Sequence, residues 1–189
     1  MKKAILKMLA LVIIQFTFVN CERNGLPGTP SQKYPLDVAI AWIKMQQRLF
    51  IGTPGLLPHV TGRTYAYVGV TMYESLVPGM HRYQSIAPQL NGNLLLPTPN
   101  QQQEYHWPAS ANSALASILR NLLPHTTPSL LKAVDSLEAD FNTKFQSEAD
   151  AEVLRRSIEF GKEVASAIFE WSKTDGGHEA YKNPFSDSS

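Results

Sequence analysis

The stretch that decides the fold is Glu148 to His178, EADAEVLRRSIEFGKEVASAIFEWSKTDGGH, the longest uninterrupted helical pattern in the sequence. Ala151, Leu154, Ile158, Gly161, Ala165, Ile168 and Ser172 recur three and four apart, which lines them along one stripe of a helix. Ser147, with Asp150 three residues on, resembles a capping box, and Gly176-Gly177 supply a left-handed stop. Ser157, Gly161 and Ala165 stand four apart, so another helix can approach that backbone closely. The pattern predicts a central helix on which shorter upstream helices pack.

Four such helices precede it. Pro35 to about Ile51 places Val38, Ala41, Trp42, Met45 and Leu49 on a buried stripe, with Lys44, Gln46, Gln47 and Arg48 mostly outside it. Thr61 to Val77 places Ala66, Val70, Tyr73 and Val77 on one face, and Pro78-Gly79 stops it. A helix opened by Pro108 carries Ala111, Ala114, Leu115, Ile118, Leu119 and Leu122. Another, capped by Thr127 with Pro128 first, carries Leu130, Val134, Leu137, Phe141 and Phe145. No segment alternates as a strand does, so the expectation is an all-α bundle of about five helices. Between Gln84 and Trp107 the periodicity is lost, and a connection of that length is functional, disordered or wrapped across a neighbour.

The chain has 189 residues, 43% hydrophobic and 17% charged, enough for one core and short for two. Residues 1–20 have the layout of a bacterial export signal: Lys2, Lys3 and Lys7, then an apolar run from Met8 to Val19 too short to span a bilayer. The single cysteine, Cys21, comes next, as in lipoprotein signals. The expectation is an exported chain, periplasmic or on the outer face, held to membrane lipid through Cys21. Residues 21–33 then read as a tether, 34–185 as the helical domain and 186–189 as a tail. One cysteine allows no intrachain disulfide. Setting the three leader lysines aside leaves 14 basic against 16 acidic residues, with no basic cluster, which argues against a nucleic-acid partner.

His59, His81, His106, His125 and His178 have neither the spacing nor the cysteine partners of a zinc site, and His59, His106 and His125 read as loop or helix-end histidines. No catalytic, cofactor-binding or metal-ligating residue stands out.

Several segments in order do suggest a family. Ala41 to Arg48 lies on the first helix, and Arg63 leads a helix ending in Met72-Tyr73-Glu74-Ser75. Ala109 to Leu119 reads ASANSALASIL. The long helix carries Phe160-Gly161-Lys162-Glu163-Val164-Ala165 and closes on Trp171-Ser172-Lys173-Thr174-Asp175-Gly176-Gly177-His178. From about Tyr34 to Phe185 this resembles the N-terminal helical half of bacterial vanadium-dependent haloperoxidase-like proteins, in the superfamily shared with type 2 phosphatidic acid phosphatases. The resemblance implies a relative of enzymes whose cage of Lys, Arg, backbone N–H and His holds vanadate or phosphate. Their signatures, Lys-x6-Arg-Pro, Pro-Ser-Gly-His and Ser-Arg-x5-His, are not found in this sequence; Pro78-Gly79-Met80-His81 keeps only the Pro and the His. The expectation is an incomplete domain, inactive alone and without a cofactor of its own.

Truncation, completion by a C-terminal half or another subunit, and reuse for binding all fit that pattern. A supporting role for the long helix predicts that Val164, Phe169 or Trp171 is left uncovered. The alternative is a helical surface lipoprotein that binds a glycan or a partner protein through Tyr65, Tyr67, Trp107 and the long connection.

Overall fold

The computed structural model describes residues 26–182. Five α-helices, α1 (Asp37–Gly52), α2 (Pro58–Leu76), α3 (Trp107–Leu122), α4 (Pro128–Phe145) and α5 (Ala151–Ser172), are joined by loops and short 3-10 turns, with no strand among the described residues. The fold is therefore all-α, as the periodicity predicts. Residues 1–25, on which the expected export signal and Cys21 fall, and residues 183–189 lie outside the described residues.

The centre of the bundle is α3, not α5. Every residue from Trp107 to Ala116 is buried, and α3 packs against each of the other four helices. Its sequence, WPASANSALASILRNL, is small or apolar around the whole circumference over its first turns, and a helix without a charged face is one that other helices surround. The strong amphipathicity of α5 marks a helix that packs on one side and meets water on the other, so its regular stripe points to the periphery.

The interface between α3 and α5 is the most extensive in the molecule. A Cβ added at Gly161 would lie 2.1 Å from the Ser110 carbonyl oxygen and 2.4 Å from Ser113 Oγ, so the missing side chain sets how closely the helices approach. Ser157 and Ala165, one turn either side, are fully buried, as expected of the small-residue stripe. Ser113 Oγ donates to the Ile158 carbonyl at 2.9 Å across the same contact.

The ends of α5 differ from expectation at one terminus. Ser147 Oγ donates back to the Lys144 carbonyl at 2.9 Å and so belongs to the end of α4; Asp150 holds the N-cap position without a side-chain hydrogen bond. The Gly stop does form, with Gly176 at φ +77° after a turn at Lys173–Asp175. Around the stripe, Val153, Phe160 and Val164 are buried as well, Ile158 is half-buried and Ala151 is exposed.

On α2 the buried face is not the expected one. Val60, Thr64, Tyr67, Val68, Thr71, Glu74 and Ser75 turn inward, while Ala66 is exposed and Val70 and Tyr73 are half-buried; of the expected face only Val77, just past the helix end, is buried. A polar face is tolerated because its hydroxyls are satisfied within the helix: Thr64 Oγ1 donates to Val60 O at 2.9 Å and Thr71 Oγ1 to Tyr67 O at 2.8 Å. Ser110 Oγ of α3 then donates to the Ser75 carbonyl at 3.0 Å.

On α1, Val38, Trp42, Met45 and Leu49 form the inner stripe as expected, but Gln46 is also buried. Trp42 Nε1 donates to Asn112 Oδ1 of α3 at 2.8 Å, which holds the two helices in register. On α4, Thr127 caps the helix through the Leu130 amide, and Leu130, Val134 and Phe145 are buried with Leu137 and Phe141 partly so. The packed domain also reaches back into the stretch read as a tether: Leu26 lies against the core, and buried Ser31 donates through Oγ to the Leu76 carbonyl at 2.7 Å.

Candidate functional site

Where α2 ends, the next connection wraps across the bundle and encloses a cleft of about 650 Å³. Polar groups pin it at three points. Tyr73 donates its hydroxyl to the Gln84 carbonyl at 2.8 Å, the Ile86 amide donates to Glu74 Oε1 at 2.8 Å, and Trp171 Nε1 of α5 donates to the Asn91 carbonyl at 2.7 Å. Gly92, at φ +84°, turns the chain beside that indole. Pro78, Pro88, Pro97 and Pro99 stiffen the walls, because each fixes its own φ.

The cleft is apolar over most of its lining, with Leu26, Val77, Met80, Ala87, Leu94 and Leu96 among its walls. Its chemistry lies with Glu74, in the last turn of α2. This carboxylate is only 3% exposed, yet no Lys or Arg forms a salt bridge with it among the described residues. Carboxylates are rarely buried without a cation, since desolvation disfavours the charge. One oxygen is engaged by the Ile86 amide, which leaves the second as an acceptor toward the cleft. At the rim stand His81, Gln84 and Gln101 with the exposed ring of Tyr83.

A second hollow, of about 320 Å³, lies at the C-terminal end of α5 and is built on the Asp-Gly-Gly-His segment. Asp175 accepts from Arg63 Nε at 2.6 Å, from the Tyr67 hydroxyl at 2.7 Å and from the Gly177 amide at 2.8 Å. Arg63 also donates to the Ser172 carbonyl, closing the last turn of α5. Burial and the Asp175 carboxylate push the Tyr67 hydroxyl up to about 12. Burial tends to raise Asp175, but Arg63, Tyr67 and the Gly177 amide together hold it below the usual carboxylate range. A Cβ at Gly177 would lie 2.8 Å from Arg63 Nε, which explains the second glycine. The other cations around this hollow are also neutralised, Arg120 by Asp135 and Glu138, and Lys173 by Glu170. The segment thus acts as a structural lock between α2 and α5.

The histidines divide sharply. His81 and His178 are exposed, and His178 meets the edge of Phe169. His125 is stacked on Tyr181 with ring centroids 3.7 Å apart, and burial lowers its pKa against a smaller opposing effect of the Pro54 backbone. His106, read from sequence as a helix-end residue in a loop, is 2% exposed. It caps α3 by accepting the Ala109 amide at Nδ1 (3.2 Å), so Nε2 carries the proton and donates to Glu148 Oε2 at 3.0 Å. Tyr34 and Phe145 enclose the ring. Burial lowers its pKa, and Glu148 opposes that shift only in part.

Of the expected contact residues, Tyr65 is exposed, with its ring edge-on to Phe50 at 4.5 Å. Tyr67 is buried and committed to Asp175, and Trp107 is 1% exposed, stacked on Tyr105 in the core, so neither can meet a ligand from solution. Glu74 escapes sequence reasoning because it looks like any polar residue near a helix end; only its position on the inward face of α2 distinguishes it. No group of three or more His, Cys, Asp or Glu suited to a metal occurs among the described residues, and none of their helices is long and apolar enough to cross a membrane. Comparison of the chain with protein-family models, curated proteins and solved structures returns no match.

Proposed function

We propose that this chain is a helical binding domain, exported and lipid-anchored through Cys21, whose site is the cleft beside the C-terminal end of α2. The haloperoxidase-like resemblance is then one of ancestry, with the N-terminal helical half reused for binding. The observation that carries the reading is Glu74, a buried carboxylate with one oxygen free of cation or amide at the floor of an apolar cleft. Such an acceptor suits a donor-bearing small molecule, and the exposed Tyr83 ring at the rim suits one with an apolar face, as in a saccharide. Coverage of α5 supports the same choice. Val164 is 1% exposed, and Phe169 and Trp171 are half-buried against His178 and Tyr67, so this side of α5 is partly occupied by the chain itself.

Calorimetric titration with neutral oligosaccharides, and separately with alkylammonium ions, tests the reading. Binding by either class that drops at least tenfold in Glu74→Gln, with thermal stability unchanged, supports it. No binding by wild type, or binding indifferent to Glu74 and Tyr83, sinks it.

A further inference from the structure

Helix α1 has two apolar faces. Val38, Trp42, Met45 and Leu49 face inward, while on the opposite side Leu36, Ile40, Ile43 and Ile51 are 71%, 49%, 44% and 90% exposed. At 3.6 residues per turn these four fall within an arc of about 80°, which the exposed Gln47 shares as its one polar residue. A helix apolar on both sides is one that is covered on both sides, and here no described residue covers the outer one. Lys44 and Arg48 stand exposed along one edge of the arc, and neither forms a salt bridge with a described residue. Asp37, the acid on that edge, is paired with Lys144 of α4. Beside Ile51, Lys44 and Arg48 share a shallow hollow with Gln47, Thr127 and Ser129, where cations and hydroxyls lie together.

We infer that the outer face of α1 docks on an anionic lipid surface, with Leu36, Ile40, Ile43 and Ile51 in the interfacial layer and Lys44 and Arg48 reaching lipid phosphates. Apolar side chains flanked by cations on one helical face are the pattern of helices that lie in the membrane plane. A second copy packed antiparallel on this face fits less well, because that two-fold contact would bring the cations of both protomers to the same edge. The inference is independent of the cleft and of any ligand there.

The test uses the full chain with Cys21→Ser, so that a nitroxide can be placed at Ile51→Cys or, as control, at Glu163→Cys on the exposed side of α5. Vesicles of phosphatidylcholine are compared with vesicles that also hold phosphatidylglycerol. On the anionic vesicles the label at position 51 should be shielded from an aqueous nickel chelate and open to oxygen, while the label at 163 stays open to the chelate. Lys44→Gln and Arg48→Gln should each lower the docked fraction relative to the free one by roughly fivefold. The inference is overturned if position 51 is as open to the chelate as position 163 on anionic vesicles. It is equally overturned if position 51 is shielded without vesicles, since a second copy or another protein surface then covers the face. Ile51 is 90% exposed, so its replacement leaves the fold intact.

Discussion

Helices α5 and α1 both carry apolar residues beyond a single stripe, and the fold treats them in opposite ways. The extra residues of α5 are largely covered: Val153, Phe160 and Val164 are buried, and Phe169 and Trp171 are half-buried against His178 and Tyr67. Those of α1 are left uncovered by the described residues. The difference lies in the loops that reach each helix. After α5 the chain turns back at Gly176 and is locked by Asp175 and Arg63, and the long connection sends Asn91 to Trp171. Only a short turn separates α1 from α2, and Phe50 of the one meets Tyr65 of the other edge-on. Surplus apolar surface therefore marks an interface only after the loops have been placed.

Substitutions on the two helices should separate these cases. The largest effect is expected at Gly161→Leu, where the side chain would be driven into the Ser110 backbone; a loss of about 3 kcal/mol or more in urea denaturation is expected. Gly62→Ala on α2, where nothing lies within 4 Å, should instead gain up to about 1 kcal/mol. A Gly161 variant of wild-type stability would break the claim that the close approach of α3 and α5 organises the fold.

Ile168→Ala, at a fully buried position of α5, should cost about 3 kcal/mol, whereas Ile51→Ala on α1 should stay within roughly 0.5 kcal/mol of wild type. Comparable losses at both sites would show that the outer face of α1 is packed in the free chain.

Arg63→Ala tests the lock that covers the end of α5. It removes hydrogen bonds to Asp175 and to Ser172 O, and about 1–2 kcal/mol should be lost after allowance for the partial exposure of the pair. Hydrogen exchange should accelerate in the last turn of α5 and leave α1 unchanged.

The smallest effect is one of pH. Burial lowers the pKa of His106 and His125 below the ordinary 6.5, so the unfolded chain takes up protons there before the folded one does. Their contribution is fully present above about 6.5 and is lost as pH falls from there toward their folded values, before the depressed carboxylates Asp37 and Asp175 begin to titrate. Urea midpoints should decline between about pH 7 and pH 5, and His106→Asn, which keeps a capping oxygen, should remove part of that decline. An unchanged slope in this variant would count against a neutral His106.

Much of the architecture is legible because helix signals are local. The all-α class comes from apolar spacing in each helix and from stops at Pro and Gly. The cap at Thr127 and the stripe of α4 can be read from the residues of that helix alone. The face of α2 cannot, since Thr64, Thr71 and Ser75 satisfy their hydroxyls against their own helix and lie in the core despite their polarity. His106 and Trp107 look like accessible residues until α4 and α5 close over them.

By itself, then, the sequence determined the five helices, their approximate ends and the small-residue stripe at Ser157, Gly161 and Ala165. Those depend on backbone propensity and on spacing along one helix. Tertiary structure alone decided that α3 is the centre, that Glu74 is buried beneath a cleft and that the outer face of α1 is bare. Each of these depends on which surfaces meet across long separations in the chain, and amphipathic spacing shows that a face is apolar without showing what covers it.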